Sequence, residues 1–212
     1  MKQQLIKLTV LSSLLFSIAT AYAAPPVAEL KVKGTLKVPT CDVSAPDNGI
    51  YNFGKISSTQ VSSSGVANLT PMTKNWVVTC DATTYLNIKP IDNRDDSMYP
   101  PSTSTYGLGM VNSTGKIGSY TLVLQNALVD GISSKLFSAS TGTFTAVTAA
   151  TLYKNGQSTG WASADNTQSA GKVFSADIIV SPMLAPTSIM NGPITEDTEL
   201  DGSVTLNFAF GI

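Results

Sequence analysis

The chain has 212 residues, a formal net charge of −1 and no histidine. That balance gives no electrostatic reason to bind nucleic acid or an anionic membrane. The missing imidazole removes Ser-His-Asp and Cys-His catalysis, His-ligated metals and the usual pH switch.

The N-terminus reads as a leader. Lys2 and Lys7 flank a polar start, 8–19 is an apolar run, and Ala21-Tyr22-Ala23 is a small-x-small site. This predicts a secretory signal peptide over 1–23, cleaved after Ala23. The apolar run is too short to span a bilayer, and no later stretch approaches the roughly 18 apolar residues required. The expectation is an exported chain made of an N-terminal extension, 24–38, and one domain, 39–212.

Within the extension, "ELKVKGTLKVPTC" (29–41) alternates cleanly. Leu30, Val32, Leu36 and Val38 fall on one face of a strand, and Glu29, Lys31, Lys33, Thr35 and Lys37 on the other. Gly34 interrupts the apolar face, where it weakens a strand and packs against nothing. Alternation alone describes an ordinary first strand that pairs within its own domain.

Cys41 and Cys80 are the two cysteines. In an oxidising compartment an even pair reads as a disulfide, and no Cys-x-x-Cys pattern argues for redox chemistry.

The remainder reads as strand and turn. Ile50, Tyr51 and Phe53 run to Gly54; Trp76, Val78 and Cys80 alternate, and Leu86, Ile88 and Pro90 continue the style. Tyr120, Leu122 and Leu124 alternate, as do Phe174, Ala176, Ile178 and Val180, and Val204, Leu206, Phe208, Phe210 and Ile212. Turn residues separate these runs at 46–49, 130–131, 155–156 and 201–202. Many short strands and no helical period after the leader predict an all-β sandwich.

Several motifs invite chemistry and fail on spacing. "GMVNSTGKIG" (109–118) resembles a phosphate loop, but its glycine gap is too long and Ile117 stands where Ser or Thr would hold magnesium. A hairpin turn is the better reading. Ser113 with Lys116, and Ser169 with Lys172, have serine–lysine spacing but lie in glycine-containing turns and not on a helix. Asp92, Asp95 and Asp96 surround Arg94, which occupies a calcium-ligand position. The polar 93–105 stretch is expected to be a mobile, solvated loop. No catalytic residue, metal or cofactor is assigned. Trp76 is expected in the core, and Trp161, beside Gly160 and a polar stretch, is the candidate for a sugar contact.

The order of features also carries a resemblance. "LKVKGTLKVPTC" (30–41), "YNFGKI" (51–56), the cysteine pair and the terminal "DGSVTLNFAFGI" (201–212) resemble structural subunits of chaperone–usher fimbriae. The likeness is nearest to uncharacterised fimbrial-like secreted proteins. Gly211 stands where such subunits usually have a tyrosine. The resemblance implies an incomplete immunoglobulin-like β-sandwich that lacks its last strand, with an N-terminal donor strand. Its partners would be other fimbrial subunits, a periplasmic chaperone and an outer-membrane usher, with the cell surface as destination.

The resemblance further implies that Leu30, Val32, Leu36 and Val38 insert into a neighbour, with Gly34 at a tight point. Val204, Leu206, Phe208 and Phe210 would line the receiving groove. The competing expectation is a monomeric periplasmic or secreted β-sandwich binding protein, with carbohydrate as the candidate ligand through Trp161.

Overall fold

A computed structural model describes residues 26–211. The expected leader, 1–23, and Ile212 lie outside the described residues. The chain divides into two units, one ending at Lys37 and the other beginning at Val38.

In the first unit, residues 26–37 belong to no strand. Leu30, Val32 and Leu36 are 85% exposed or more, and a Cβ built on Gly34 would meet nothing within 4 Å. Lys31 and Glu29 pair at 3.2 Å. The alternation predicts a strand here, and none forms. A strand needs a ladder partner for its backbone groups, and among the described residues this segment has none.

The second unit is all-β. Its strands are β1 (Cys41–Ser44), β2 (Ala67–Asn68), β3 (Met72–Asp92), β4 (Thr105–Gly107) and β5 (Met110–Val111). There follow β6 (Gly115–Lys116), β7 (Gly118–Val129), β8 (Ile132–Ser133), β9 (Lys135–Ala139) and β10 (Ala149–Thr151). The last four are β11 (Ser158–Ala164), β12 (Thr167–Gln168), β13 (Ala170–Leu184) and β14 (Val204–Phe210). They build a large, curled antiparallel sheet that closes as an immunoglobulin-like sandwich.

β3 organises it. Its first half pairs with β1 and with β13, which in turn pairs with β7. Its second half pairs with β14 and with β11, which in turn pairs with β9. One 21-residue strand therefore belongs to both layers. Pro90 is tolerated inside it because the residues bonded to β14 are its odd-numbered neighbours. The missing N–H of Pro90 faces the β11 side, where pairing reaches only Asn87 and Ile88.

The alternating residues face inward as their period requires. Val78, Leu86, Ile88, Leu122, Leu124, Phe174, Ile178 and Val180 are buried in one cluster. Trp76 is only partly buried and packs at its border. A second, smaller cluster of Phe137, Ala139, Phe144 and Ala162 covers the outer face of β9 and β11. Gly160 has to be glycine there, because a Cβ would lie 2.7 Å from the Phe137 ring.

The expected hairpin at 109–118 is present, with β5 against β6 and positive φ at Asn112 and Ser113. Asp130 and Gly131 form the β7–β8 turn, both at positive φ.

Cys41 lies opposite Cys80 in the β1–β3 ladder, and the two form the disulfide. The bond joins the start of the domain to the middle of its longest strand. Cys80→Ser should lower unfolding stability by about 2–5 kcal/mol. Denaturant midpoints of the oxidised parent and the variant check this, and midpoints that coincide would contradict it.

Candidate functional site

β14 pairs with β3 in the register Val204↔Asp92 through Phe210↔Leu86. Asn93 N donates to Ser203 O and Gly211 N to Tyr85 O, both at 3.0 Å. Antiparallel ladders alternate, so the odd-numbered residues of β14 direct their backbone groups at β3. Val204, Leu206, Phe208 and Phe210 direct theirs the other way. Among the described residues no strand pairs with that edge.

The same four residues carry the apolar face of the strand. Val204, Leu206 and Phe208 pack, half-buried, against the main core, and Phe210 is 45% exposed. Thr205 and Asn207 are exposed on the opposite face. The strand therefore offers four unpaired N–H and C=O sets in line with four incompletely covered side chains. Such an edge is a template for another strand.

A second segment is short of partners. Tyr51, Phe53 and Ile56 rest on the main core, yet residues 51–56 form no strand and no backbone–backbone hydrogen bond among the described residues. The alternation that predicts a strand at 50–53 here marks a chain held by side chains. The Tyr51 hydroxyl donates to Ile178 O and accepts from Trp76 Nε1, each at 3.0 Å. Burial pushes the pKa of that hydroxyl upward, against the Trp76 hydrogen bond.

Trp161 corrects an expectation. It is 2% exposed, donates Nε1–H to Ser175 O at 3.1 Å, and meets Phe174 edge-on at 5.3 Å between ring centroids. Its ring is consumed by the core, and neither face is open to a sugar. Alternation on β11 puts Trp161 inward and Ala162 outward, an assignment that the small residues around it did not reveal.

The 93–105 stretch departs from expectation in part. The Asp92 side chain is 1% exposed and pairs with Lys154 at 3.2 Å. Its Oδ1 accepts from Arg94 N, and its Oδ2 from Gly107 N. Lys154 also pairs with Asp95 and lies over the Tyr106 ring. Ser97, likewise buried, donates to Arg94 O and accepts from Gly109 N. These bonds staple its first residues to β4 and to the chain before β11, while Asn93, Asp95, Asp96 and residues 100–103 stay exposed, as a solvated loop requires. Burial, aided by the Asp92 charge, pushes the pKa of Tyr106 and Tyr120 well above the usual tyrosine range.

Among the described residues, no group of three or more Cys, Asp or Glu could hold a metal ion. The serine–lysine pairs do not meet: Lys116 Nζ donates to Met98 O, and Ser169 Oγ contacts Ser134 Oγ.

The fold and its open edge define a class: an all-β, disulfide-linked immunoglobulin-like sandwich whose terminal strand pairs along one edge and, among the described residues, leaves the other open. The family described as "protein of unknown function (DUF1120)" matches residues 30–102. That span contains the alternating segment from Leu30 on, both cysteines and all of β3. No curated protein matches the chain.

Proposed function

We propose that the chain is a structural subunit of a surface fimbria, assembled by exchange of N-terminal donor strands. The observation that carries this reading is a complementary pair of unmet needs. Among the described residues, β14 has an unpaired edge with half-exposed apolar side chains, and the extension has an alternating apolar face that nothing covers.

Adding a strand to a sheet edge supplies affinity through backbone bonds and specificity through alternate side chains. Burying Leu30, Val32, Leu36 and Val38 would contribute roughly 1.5–3 kcal/mol each before ordering costs. Donor and acceptor are different surfaces, so the contact does not close on itself and propagates as a fibre. Until then the edge requires covering, which is the task the resemblance gives to a periplasmic chaperone, with an outer-membrane usher as the place of exchange. The competing reading, a monomeric sugar-binding sandwich, loses its contact residue with the burial of Trp161.

The test replaces the donor face. Because Leu30, Val32 and Leu36 are exposed, changing all three to Ser leaves the domain's own packing untouched. The variant should fold with its disulfide formed and fail to polymerise, as read by sedimentation beside the parent. Polymers equal to the parent's would overturn the reading.

A further inference from the structure

β11 changes partners along one of its flanks. Gly160 lies opposite Asn87 of β3, and Ala162 lies opposite Gln168 of β12. β9 occupies the other flank over the same span. Past the change, Ala170 of β13 lies opposite Tyr85 of β3. Directly opposed residues share a face of the sheet, and Ala162 faces outward, away from the main core. Asn87, Gln168 and Tyr85 therefore meet on the outer face, around one junction of strands.

Small residues surround the two amides there. Gly160, Ala162 and Ala170 carry a methyl group or nothing, which leaves room between the larger side chains. On the β11 side the Phe137 ring closes that room, standing 2.7 Å from where a Gly160 Cβ would go. The other side opens at Ala170, which is exposed, and at Tyr85, which is 47% exposed. The Tyr85 ring has no aromatic or cationic partner among the described residues.

The amides themselves are short of partners. Asn87 is 1% exposed, and its Oδ1 is buried with no hydrogen bond among the described residues. Gln168 Oε1 is in the same condition. The two residues lie one alternate step apart along the flank of β11, about 7 Å between Cα atoms. A buried acceptor left unmet is costly, and native chains keep few of them. Two at one junction, beside an exposed aromatic ring, call for a ligand that brings the donors.

The groups specify its chemistry. None of these side chains is charged, so an ionic ligand would enter without a counter-charge. Carboxamides accept and donate, which matches hydroxyl groups, and a half-open phenol ring offers an apolar face. Hydroxyls along the rim and C–H groups on the face are the two aspects of a pyranose ring.

We propose that the junction of β3, β11 and β13 binds one neutral pyranose unit, with Tyr85 against its C–H face and Asn87 and Gln168 on its hydroxyls. Ala170 and Tyr85 form the entrance, and the exposed Tyr85 ring turns aside to admit a hydroxyl to Asn87. The site uses neither the extension nor the β14 edge, so it stands or falls apart from the donor-strand reading.

The experiment uses the full mature chain and saturation-transfer difference NMR, which observes the sugar and so serves monomers and polymers alike. The probes are the methyl pyranosides of glucose, galactose, mannose and N-acetylglucosamine, each tested alone. At least one should receive saturation, strongest at its ring C–H protons. Tyr85→Ala and Gln168→Ala should each weaken that binding at least about tenfold. Ala170→Leu, which fills the junction from an exposed position, should abolish it. Thermal melts matching the parent's show that the three variants are folded. Binding of parent strength in Tyr85→Ala and Ala170→Leu would put the sugar elsewhere and overturn the inference. Transfer to none of the four probes would also overturn it, and would leave the two oxygens to buried water. Transfer to n-butylammonium instead, lost in the same variants, would overturn the neutral ligand in favour of a cation.

Discussion

Gly34→Leu should yield a subunit that is folded, disulfide-bonded and as stable as the parent, yet cannot be donated to a neighbour. Within its own chain the new side chain meets no neighbour, since nothing lies within 4 Å of a Cβ at that position, and residues 26–37 form no strand whose packing it could disturb. On the proposed donor-strand reading the effect then falls on assembly. Seated on β14, an extension has to pass Phe208, the bulky aromatic at the strand's centre, and a glycine opposite an aromatic leaves the ring room to cover the bare backbone. Filling that space overpacks the contact by typically 1–3 kcal/mol, or roughly 5- to 150-fold in affinity. Unfolding midpoints equal to the parent's, with polymer yield greatly reduced, are the expected pair of results. Phe208→Ala in the accepting chain should return part of the yield. A variant that loses stability as a monomer would show instead that Gly34 is packed inside its own domain, and normal polymers would dismiss the tight point.

The second large effect concerns the domain alone. Lys154→Met should lower unfolding stability by about 3–5 kcal/mol, because removing one partner of a buried ion pair strands the other. Asp92 would keep the backbone donors of Arg94 and Gly107 but lose the ammonium that balances its charge in a site 1% open to water. In a domain of this size the melting temperature should fall on the order of 10 °C. Lys154→Met combined with Asp92→Asn should recover only part of the loss, since a neutral amide needs no counter-charge but its NH2 faces one of the two backbone donors that Asp92 accepts from. A single variant within about 1 kcal/mol of the parent, the size of an exposed ion pair's contribution, would mean that the pair behaves as a solvated one.

These two sites differ in how they show in the sequence. The signal of the extension is local, a period of two and one glycine within ten residues, but residues 26–37 form no strand. Alternation succeeds for β7, β13 and β14, whose inward rows run Tyr120-Leu122-Leu124, Phe174-Ala176-Ile178-Val180 and Val204-Leu206-Phe208. It fails for β11, where "STGWASA" shows no apolar alternation because both faces are covered. One face meets the main core through Trp161 and the other meets Phe137 through Gly160 and Ala162. It fails again at 51–56, where alternation reports burial on one side but a strand also requires a ladder. The Asp92–Lys154 pair joins residues 62 apart, and nothing near either residue announces the other. Asp92, Arg94 and Asp95 read as a surface cluster because the lysine that draws one of them inward comes from a distant loop. Only the resemblance points to an open edge; alternation identifies the apolar face of β14 but not which of its edges lacks a neighbour.

The continuity of β3 through both layers has a mechanical consequence. Tension applied through the extension enters the domain at Cys41 and passes by a covalent bond to Cys80. From there it runs along a single strand to residues 86–92, which hold β14 through a seven-residue antiparallel ladder. A pull directed along that ladder loads its hydrogen bonds together, in shear, and does not open them one after another. The force path from entry to exit thus crosses one disulfide, one stretch of backbone and one ladder, while β7, β9, β11 and β13 stand outside it. A chain of such domains would carry load through a small, stiff fraction of its mass and leave the remaining surface of each domain free to vary without weakening the line.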